Sequence, residues 1–305
     1  MRVWRGLAGQ FKAPVLSGAV LLCWLSMSSG LAAEPYLVDE DSESPVRFRV
    51  QAISGDPEQL RCQFTPAQLA ILEKLNRADA KNLTKMGSIV VPDRWGFREL
   101  DYSPMPGASK WAGMHGKALI VHQQAQAFGA YEKGKLIYWG PVSSGAARRP
   151  TPSGYFHLNW KSKGRHSTVN RDWFLPWAFN FINREGISFH QFELPGYPAS
   201  HGCVRLLGGG ARWLYGWGDQ WNLGPRGWRI EKQGTPVWIV GGYDYDGDPP
   251  WTEREYLAYG ARIALGQELG KGEEELPPNR ETEKDSTHVE AIEDLAQPAG
   301  EAGSI

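Results

Sequence analysis

The sequence predicts a mainly β protein with a few short helices, a small helical N-terminal region and a disordered acidic tail. Between Lys117 and Val142, apolar and aromatic runs of strand length are separated by turn-forming glycines. The 36 glycines and 21 prolines recur along the chain, and helical spacing is confined to short segments. With 305 residues of which 41% are hydrophobic, the chain can bury one substantial core and a small second one.

The chain opens with the three parts of a secretory signal peptide. Basic residues precede an uncharged run from Ala13 to Ala33, which ends in small residues. We therefore expect residues 1–33 to be a signal peptide that is cleaved after Ala32 or Ala33, contacts a membrane only transiently, and exports the protein to the periplasm or cell envelope. The alternative is an uncleaved membrane anchor, because a run of about 20 residues approaches the length that spans a bilayer.

Residues 34–110 are expected to form an N-terminal region with one clear helix. Thr65 is followed by Pro66 and then by Gln68, a pattern typical of an N-cap, a proline at the first helical position and a capping box. Leucines follow at helical spacing, so we predict a helix over residues 66–80.

The segment from Ile71 to Pro92 resembles the second half of a LysM glycan-binding repeat, which ends in a helix and a short strand of the form hydrophobic-Val-Val-Pro. The residues before it lack the Gly-Asp-Thr opening of that repeat. The alternative is a helical cap that packs against the following domain, because amphipathic helix-turn-strand units are common.

From Lys117 onward the pattern changes to strands joined by short turns. We predict a meander of three strands, with a Lys133–Gly134 turn before the third, over Ala118 to Gln124, Ala127 to Glu132 and Lys135 to Val142. Helical spacing returns only at Gly209 to Trp221 and at Thr252 to Leu269.

The C-terminal extension, residues 244–305, differs in composition from the rest. Beyond Gly270 it is rich in glutamate, contains proline and is nearly free of aromatic residues, so we expect it to be disordered. Asp244 to Asp248, with Glu255 at the twelfth place, superficially resembles a calcium-binding EF loop, but Pro249 occupies the place where that loop requires glycine. We assign no metal there.

The formal net charge of -1 hides an asymmetry between the acidic tail and a mildly positive region from Glu34 to Gln267. No block of basic residues indicates a nucleic-acid partner, so we expect none. A mildly positive surface is compatible with a polymer that carries free carboxylates, although such an imbalance is common on solvated surfaces.

The most informative motif is the heptapeptide Ser200-His201-Gly202-Cys203-Val204-Arg205-Leu206, which follows His190 after a short loop. A thiol with its ordinary pKa of about 8.5 is mostly protonated at neutral pH, so a nucleophilic cysteine needs an imidazole or a cation nearby. His190, His201 and Arg205 provide such groups. Gly202 allows a sharp turn, and the Cys203 amide can then donate to an oxyanion.

Four ordered motifs resemble those of the L,D-transpeptidase catalytic domain of bacterial cell-wall enzymes, the YkuD-type domain. Besides the heptapeptide with His190, they are Ser143-Ser144-Gly145, the strand and turn from Pro150 to Phe156, and the aromatic segment from Trp173 to Phe179. Together they cover about residues 115–242, and we place a catalytic domain at residues 111–243. The resemblance implies a β-sandwich-like fold for this domain.

The resemblance also implies roles for individual residues. Cys203 is the nucleophile, His190 is the base, and His201 lines the site. The third catalytic element is the backbone carbonyl of Gln191, whose side chain is larger than the family's usual residue and is expected to narrow the pocket. Arg205 holds a substrate carboxylate, the alternative being a structural salt bridge. The remaining expected substrate contacts are Ser200, Gly202, Trp177 and Phe179.

By the same resemblance, the expected function is peptidoglycan L,D-transpeptidation. The Cys203 thiolate attacks the carbonyl of the third residue of a tetrapeptide stem, D-alanine leaves, and an amine resolves the thioester to give a 3-to-3 cross-link or a wall-attached protein. The expected partners are peptidoglycan stem peptides, and neither a metal nor an organic cofactor is needed for this chemistry.

The sequence leaves several alternatives open. Only twelve residues separate His190 from Cys203, fewer than in most relatives, so hydrolysis of the thioester by an L,D-carboxypeptidase or wall amidase is one of them. A non-catalytic peptidoglycan-binding protein is another. His190, His201 and Cys203 also suffice as three zinc ligands. Cys62 and Cys203 would form a disulfide by default in an exported protein, and otherwise Cys62 is expected to be a small, partly buried side chain.

Overall fold

The computed structural model describes residues 46–252, and its first part is a small α/β unit. This N-terminal unit comprises β1 (Phe48–Ala52), α1 (Pro57–Gln63), α2 (Pro66–Leu75), α3 (Ala80–Leu83) and β2 (Ser88–Pro92). The two strands pair in antiparallel register, with Val50 opposite Val90. The unit encloses a core of its own, which includes Leu60, Leu72, Leu83 and Ile89.

Helix α2 begins as the sequence predicts but ends earlier than residue 80. The Thr65 hydroxyl and the Gln68 side chain make both hydrogen bonds of the capping box. The helix stops at Leu75, since the next two residues leave the helical path. The Asn76 side chain donates to the Val90 carbonyl at 2.9 Å, and Arg77 has a φ of 52°. A hydrogen bond from the Asn76 side chain to β2 therefore takes the place of the last predicted turn of the helix.

The second part is built on one nine-stranded sheet. Its first eight strands in chain order are β3 (Lys117–His122), β4 (Ala127–Glu132), β5 (Lys135–Ser143), β6 (Gly154–His157), β7 (Lys161–His166), β8 (Phe174–Ile182), β9 (Ile187–Gln191) and β10 (Val204–Leu206). A small separate hairpin of β11 (Asn222–Leu223) and β12 (Ile230–Lys232) then precedes the ninth strand, β13 (Pro236–Val240). The spatial order is β6-β13-β3-β4-β5-β10-β9-β8-β7, with parallel pairs β13–β3 and β10–β9.

Three short helices accompany the sheet. A 3-10 helix (Glu99–Tyr102) and α4 (Lys110–Gly113) lie between the two parts, and α5 (Gly208–Trp217) follows β10. A further 3-10 turn (Pro250–Thr252) closes the described chain. The fold is therefore mainly β with a few short helices, as predicted.

The sheet curls until its ends approach each other. The rings of Phe156 on β6 and Phe181 on β8, near opposite ends of the sheet, have centroids 5.7 Å apart. Apolar side chains from both halves fill the interior, together with Ala211 and Leu214 of α5. One face of the β9–β10 pair, on which the predicted site lies, packs against this core, and its other face points away from the core.

The predicted meander is confirmed as β3, β4 and β5. The Lys133–Gly134 turn is present, with φ of 49° and 79°. Strand β3 ends at His122 instead of residue 124, because a turn follows, in which the Ala125 N–H donates to His122 Nδ1 at 3.1 Å and the Gln126 N–H donates to the Gln123 carbonyl at 3.2 Å. Helix α5 ends at Trp217 instead of residue 221, because Gly218 has extended backbone angles.

Other predictions concern residues outside 46–252. These are the signal segment at residues 1–33, the helical spacing of residues 252–269 beyond its first position, the last place of the EF-like pattern at Glu255, and the acidic tail after residue 270. Within the described part of the chain, no helix is long and apolar enough to cross a membrane.

Candidate active site

The pairing of β9 with β10 brings the predicted base and nucleophile to neighbouring positions. These strands run parallel, with Arg205 opposite His190 and Val204 opposite Phe189. Phe189 and Val204 point into the core. Because side chains alternate between the two faces of a strand, His190, Arg205 and Cys203, which directly precedes β10, project from the other face. Strand register thus brings these three residues to one side of the sheet.

The turn that carries Cys203 is held by two hydroxyl groups. The Ser200 hydroxyl accepts from the Gly202 N–H at 3.1 Å and donates to the Cys203 carbonyl. The Thr151 hydroxyl donates to the Gly202 carbonyl at 2.9 Å. Gly202 has a φ of 104°, a conformation that favours glycine. The sharp turn predicted before the cysteine is therefore present and is held by hydrogen bonds on both sides.

Two of the upstream motifs, Ser143-Ser144-Gly145 and the segment from Pro150 to Phe156, support this turn. The Ser200 N–H donates to the Ser144 carbonyl at 3.0 Å, and the Gly145 N–H donates to the Thr151 hydroxyl at 2.9 Å. A Cβ atom on Gly145 would lie 2.1 Å from the Arg149 carbonyl oxygen, so only glycine fits there. The motif residues around 143–151 are thus structural supports of the cysteine turn.

His190 is held as a neutral imidazole. The ring is buried, and its Nδ1 lies 3.0 Å from the Gln191 carbonyl oxygen, which can only accept a hydrogen bond. Nδ1 therefore carries the proton and Nε2 keeps a lone pair. Burial lowers the pKa of His190 to about 4, the hydrogen bond to Gln191 opposes this, and the charge of Arg205 adds to it. The ring is consequently a free base at neutral pH.

The Cys203 thiol is protonated in this resting structure. Burial raises the pKa of Cys203 above its ordinary value, and this effect exceeds the lowering by a backbone hydrogen bond to Ser188 and by the charges of Arg205 and Arg165. The sequence had suggested that neighbouring imidazole and guanidinium groups favour a thiolate. In the structure, burial instead favours the neutral form of both the Cys203 thiol and the His190 imidazole, because both groups are removed from water.

An aromatic and cationic cluster lies beside this pair. The Phe192 ring lies 5.9 Å from His190 and 6.1 Å from Trp173, and the Trp173 ring lies 5.1 Å from His201. The Arg205 guanidinium lies 4.6 Å from the centre of the Phe192 ring. His201 itself is exposed at the rim. Sequence reasoning did not identify Phe192, although its place two residues after the base was a usable signal.

Arg205 makes its hydrogen bond to a backbone carbonyl. Its guanidinium donates to the Glu193 carbonyl oxygen at 3.4 Å. Among the ion pairs of residues 46–252, Glu193 pairs with Lys81 instead. Within residues 46–252 the structure therefore gives Arg205 a backbone partner and no ion pair, and a guanidinium has further N–H groups that can bind a ligand.

Two predicted substrate contacts lie on the opposite face of the sheet. Phe179 is fully buried in the core and pairs with Phe189 across β8 and β9. Trp177, two residues earlier on β8, packs against Tyr215 of α5 with ring centroids 5.4 Å apart. Phe179 is thus inaccessible to a substrate, and its prediction is wrong. Closeness to His190 in the sequence does not say on which face of the sheet a side chain lies.

Gln191 also differs from expectation in the direction of its side chain. Its backbone carbonyl faces His190, but its side-chain amide lies against Gly208 at the start of α5, where a Cβ atom would be 3.1 Å from it. The side chain therefore fills space beside the helix. It does not narrow the pocket next to His190.

The structure contradicts two alternatives for Cys203. Cys203 carries a free thiol, so no disulfide joins it to Cys62, and Cys62 is exposed where a partly buried side chain was expected. Across residues 46–252, no three His, Cys, Asp or Glu side chains are grouped as metal ligands. The three-ligand zinc site from His190, His201 and Cys203 is therefore not formed.

Comparison with known proteins points to one family. Residues 116–239 match the family model of YkuD, the L,D-transpeptidase catalytic domain. No curated protein sequence matches this chain.

Several solved structures are similar to part of the chain. An L,D-transpeptidase (Yku) from Stackebrandtia nassauensis is 25% identical, with 45% of this chain and 58% of that chain covered and a TM-score of 0.35. An L,D-transpeptidase from Mycobacterium smegmatis is 18% identical, with 41% and 59% covered and a TM-score of 0.33. Mycobacterium tuberculosis L,D-transpeptidase 1 is 22% identical, with 41% and 62% covered and a TM-score of 0.31. The chain thus spans less than two thirds of each of these relatives.

Proposed function

From the match of residues 116–239 to the YkuD family model, we propose that the protein belongs to the L,D-transpeptidase family and is a peptidoglycan L,D-transpeptidase with Cys203 as nucleophile. One observation carries the proposal. Cys203 and His190 project from the same sheet face, and the His190 ring is fixed with its Nδ1 proton on the Gln191 carbonyl. The free Nε2 lone pair is what a general base needs.

In the first half-reaction, Cys203 Sγ attacks the carbonyl carbon of the third residue of a tetrapeptide stem. His190 Nε2 takes the thiol proton as the C–S bond forms, so no free thiolate needs to accumulate beforehand. The carbonyl oxygen becomes an oxyanion, to which the Cys203 N–H donates. The C–N bond then breaks, the leaving D-alanine nitrogen takes the proton from His190, and a thioester remains on Cys203.

In the second half-reaction, an acceptor amine attacks the thioester carbonyl. His190 takes a proton from the attacking nitrogen, the C–S bond breaks, and the thiol of Cys203 recovers the proton. The product is a 3-to-3 cross-link between stems, or a protein attached to the wall if the amine belongs to one. Neither half-reaction changes an oxidation state, and the thiol and imidazole supply all the covalent and proton-transfer steps.

Arg205 is proposed to bind a carboxylate of the stem. Its guanidinium rests on the Phe192 ring and on the Glu193 carbonyl, which fixes its plane while leaving further donors toward the site. Such a fork binds a carboxylate bidentately and stays charged at any working pH. His201, exposed at the rim beside Trp173, is proposed to contact the stem or the leaving group.

The decisive experiment uses muropeptides. Wild-type protein incubated with disaccharide tetrapeptides is expected to give cross-linked dimers, detected by mass spectrometry, together with free D-alanine. Cys203→Ala is expected to abolish both products, and Cys203→Ser to reduce them by orders of magnitude. Full turnover by the alanine variant would overturn the proposal. Acylation of Cys203 by a carbapenem, seen as a mass increase of the intact wild-type protein alone, provides an independent readout.

Hydrolysis is a second candidate, suggested by the short loop from Gln191 to Ala199, because access of an acceptor decides whether an amine or water resolves the thioester. In that case water resolves the same thioester, and tripeptide monomers appear instead of dimers. D-alanine is released in both activities, so it is the ratio of dimers to tripeptide monomers in the muropeptide experiment that distinguishes them.

The third candidate is a non-catalytic wall-binding protein. Residues 71–92, which resemble the second half of a LysM repeat, contain the end of α2, all of α3 and β2. This candidate predicts sedimentation with purified sacculi that does not depend on Cys203, together with no turnover of muropeptides. Deletion of residues 46–92 would remove sedimentation if that segment binds glycan.

We propose that the protein is located in the cell envelope, since residues 116–239 match the catalytic domain of a family of cell-wall enzymes. We propose that residues 1–33 direct export and are cleaved after Ala32 or Ala33. N-terminal sequencing of the protein purified from an envelope fraction tests this. An intact Met1 on the mature protein would favour the uncleaved anchor.

A further inference from the structure

The loop between His190 and Cys203 is tied to the N-terminal unit at Asp79. The Asp79 N–H donates to the Leu194 carbonyl at 3.0 Å, and the Leu194 N–H donates to Asp79 Oδ2 at 2.8 Å. Two residues after Leu194 and two residues before Asp79, the Gly196 N–H donates to the Arg77 carbonyl at 3.1 Å. These hydrogen bonds join segments that are 115 residues apart in the chain.

The Asp79 carboxylate serves the N-terminal unit and the loop at once. Its Oδ1 accepts from the Asn82 N–H at 3.1 Å and so caps α3, while Oδ2 accepts from Leu194. The Asn82 amide completes the contact by donating to the Leu194 carbonyl at 3.2 Å. Leu194 is fully buried, so its backbone groups depend on protein partners, and an unpaired buried N–H is costly.

A nearby ion pair contributes little to this tie. Lys81 and Glu193 lie 3.0 Å apart, but their side chains are 67% and 58% exposed. Exposed pairs of this kind are weak, because water and salt screen them. The hydrogen bonds at Asp79 are therefore the stronger connection between the two segments.

The tied loop carries the groups that hold Arg205. Glu193, directly before Leu194, gives the carbonyl that accepts from the Arg205 guanidinium at 3.4 Å. Phe192 lies one residue earlier, with its ring under the same guanidinium at 4.6 Å and 5.9 Å from the His190 ring. Residues 192–199 form no helix or strand of their own, so the position of these groups depends on such anchors.

We propose that Asp79 is a positioning residue for substrate binding: by fixing Leu194 it holds Phe192 and the Glu193 carbonyl, which in turn orient Arg205 toward the stem carboxylate. This role rests on the function proposed above. The N-terminal unit is then part of the working enzyme, because the loop beside the site is shaped partly by residues before the catalytic domain.

The test variant is Asp79→Ser in the full-length chain. Serine is as good an N-cap as aspartate, so α3 keeps its cap, but the shorter side chain has no second oxygen for the Leu194 N–H. Asp56→Ser is the matched control. Asp56 is exposed and caps α1 by accepting from the Glu58 N–H at 2.9 Å, so this change makes the same substitution away from the loop.

Hydrogen exchange tests the tie without any assay of activity. The Gly196 N–H, which bonds to Arg77 and not to Asp79 itself, is expected to exchange at least about tenfold faster in Asp79→Ser than in wild type. In Asp56→Ser its rate should equal that of wild type. Equal protection of Gly196 in both variants would overturn the proposal.

Steady-state kinetics tests the positioning role. In Asp79→Ser, KM for the donor stem is expected to rise about tenfold with a smaller change in kcat. Loss of folded enzyme alone would lower kcat at constant KM. If Asp79 acts through Arg205, adding Asp79→Ser to Arg205→Ala should raise KM little further. Additive effects, or an unchanged KM in Asp79→Ser, would overturn the role of Asp79 while leaving the function of Cys203 intact.

A wild-type protein without turnover or acylation has a different meaning. It would overturn the proposed function and with it the substrate-binding role of Asp79. Faster exchange of Gly196 in Asp79→Ser would then still show a structural anchor. The two failures are thereby distinguished.

Discussion

Burial of His190 should make the stability of this protein depend on pH. The pKa of His190 is lowered to about 4 from an ordinary value of 6.5. As the pH falls through 6.5, the unfolded chain binds a proton at this residue that the folded chain does not bind. The free energy of unfolding therefore decreases with falling pH, until the folded protein also binds the proton near pH 4. The sign follows from the folded pKa being the lower one.

The magnitude follows from the size of the shift. Each unit of pKa difference corresponds to about 1.4 kcal/mol, so His190 alone should remove about 2 to 3 kcal/mol of unfolding free energy between pH 7 and about pH 4.5. For a domain with a typical stability of about 5 to 15 kcal/mol, this is a substantial fraction.

The assay is urea unfolding of wild type and His190→Gln at both pH values. Comparing each protein with itself cancels the intrinsic cost of the substitution. The wild type should lose about 2 to 3 kcal/mol more than the variant on acidification. His166→Gln, which removes an exposed histidine, is the matched control and should behave like wild type. An equal loss in wild type and His190→Gln would refute the argument that burial keeps this imidazole neutral.

Three further predictions concern the cysteine turn. Gly145→Ala should lower stability by about 3 kcal/mol or more because its Cβ meets backbone atoms, whereas Gly87→Ala, where nothing lies within 4 Å, should change the melting temperature little. Thr151→Val should cost about 2 kcal/mol, since one hydroxyl serves two hydrogen bonds, and should slow acylation in stopped-flow measurements. Because burial raises the pKa of the Cys203 thiol, iodoacetamide should label exposed Cys62 faster than Cys203 near pH 8, as measured by peptide mapping; faster labelling of Cys203 would contradict a protonated resting thiol.

Local features were predictable where the cause lies within a few residues. The capping box at Thr65, the Lys133–Gly134 turn and the three-strand meander depend on neighbours in the chain, and the structure contains all three. The sharp turn at Gly202 belongs to the same class. Such features follow from backbone conformation and short-range hydrogen bonds, which a sequence pattern records directly.

The face of the sheet on which a side chain lies could not be predicted from the order of residues along the chain. Trp177 and Phe179 precede His190 closely, yet β8 directs both toward the core and α5. The carbonyl of Gln191 was correctly expected beside His190, but its side chain faces Gly208. The direction of a side chain depends on strand register, and a one-residue change of register would invert it.

The amino-acid sequence by itself determined the chemical groups of this protein. These are the Cys203 thiol after a glycine turn, the upstream His190 imidazole and the Arg205 guanidinium two residues after the thiol, all carried by a β-rich chain. Only the tertiary structure decided that the thiol and the imidazole are both neutral at rest and that Asp79 holds the loop between them. The reason is physical. Desolvation and long-range hydrogen bonds bring together segments that are distant in the chain, such as Asp79 and Leu194, which are 115 residues apart, and no local pattern contains that information.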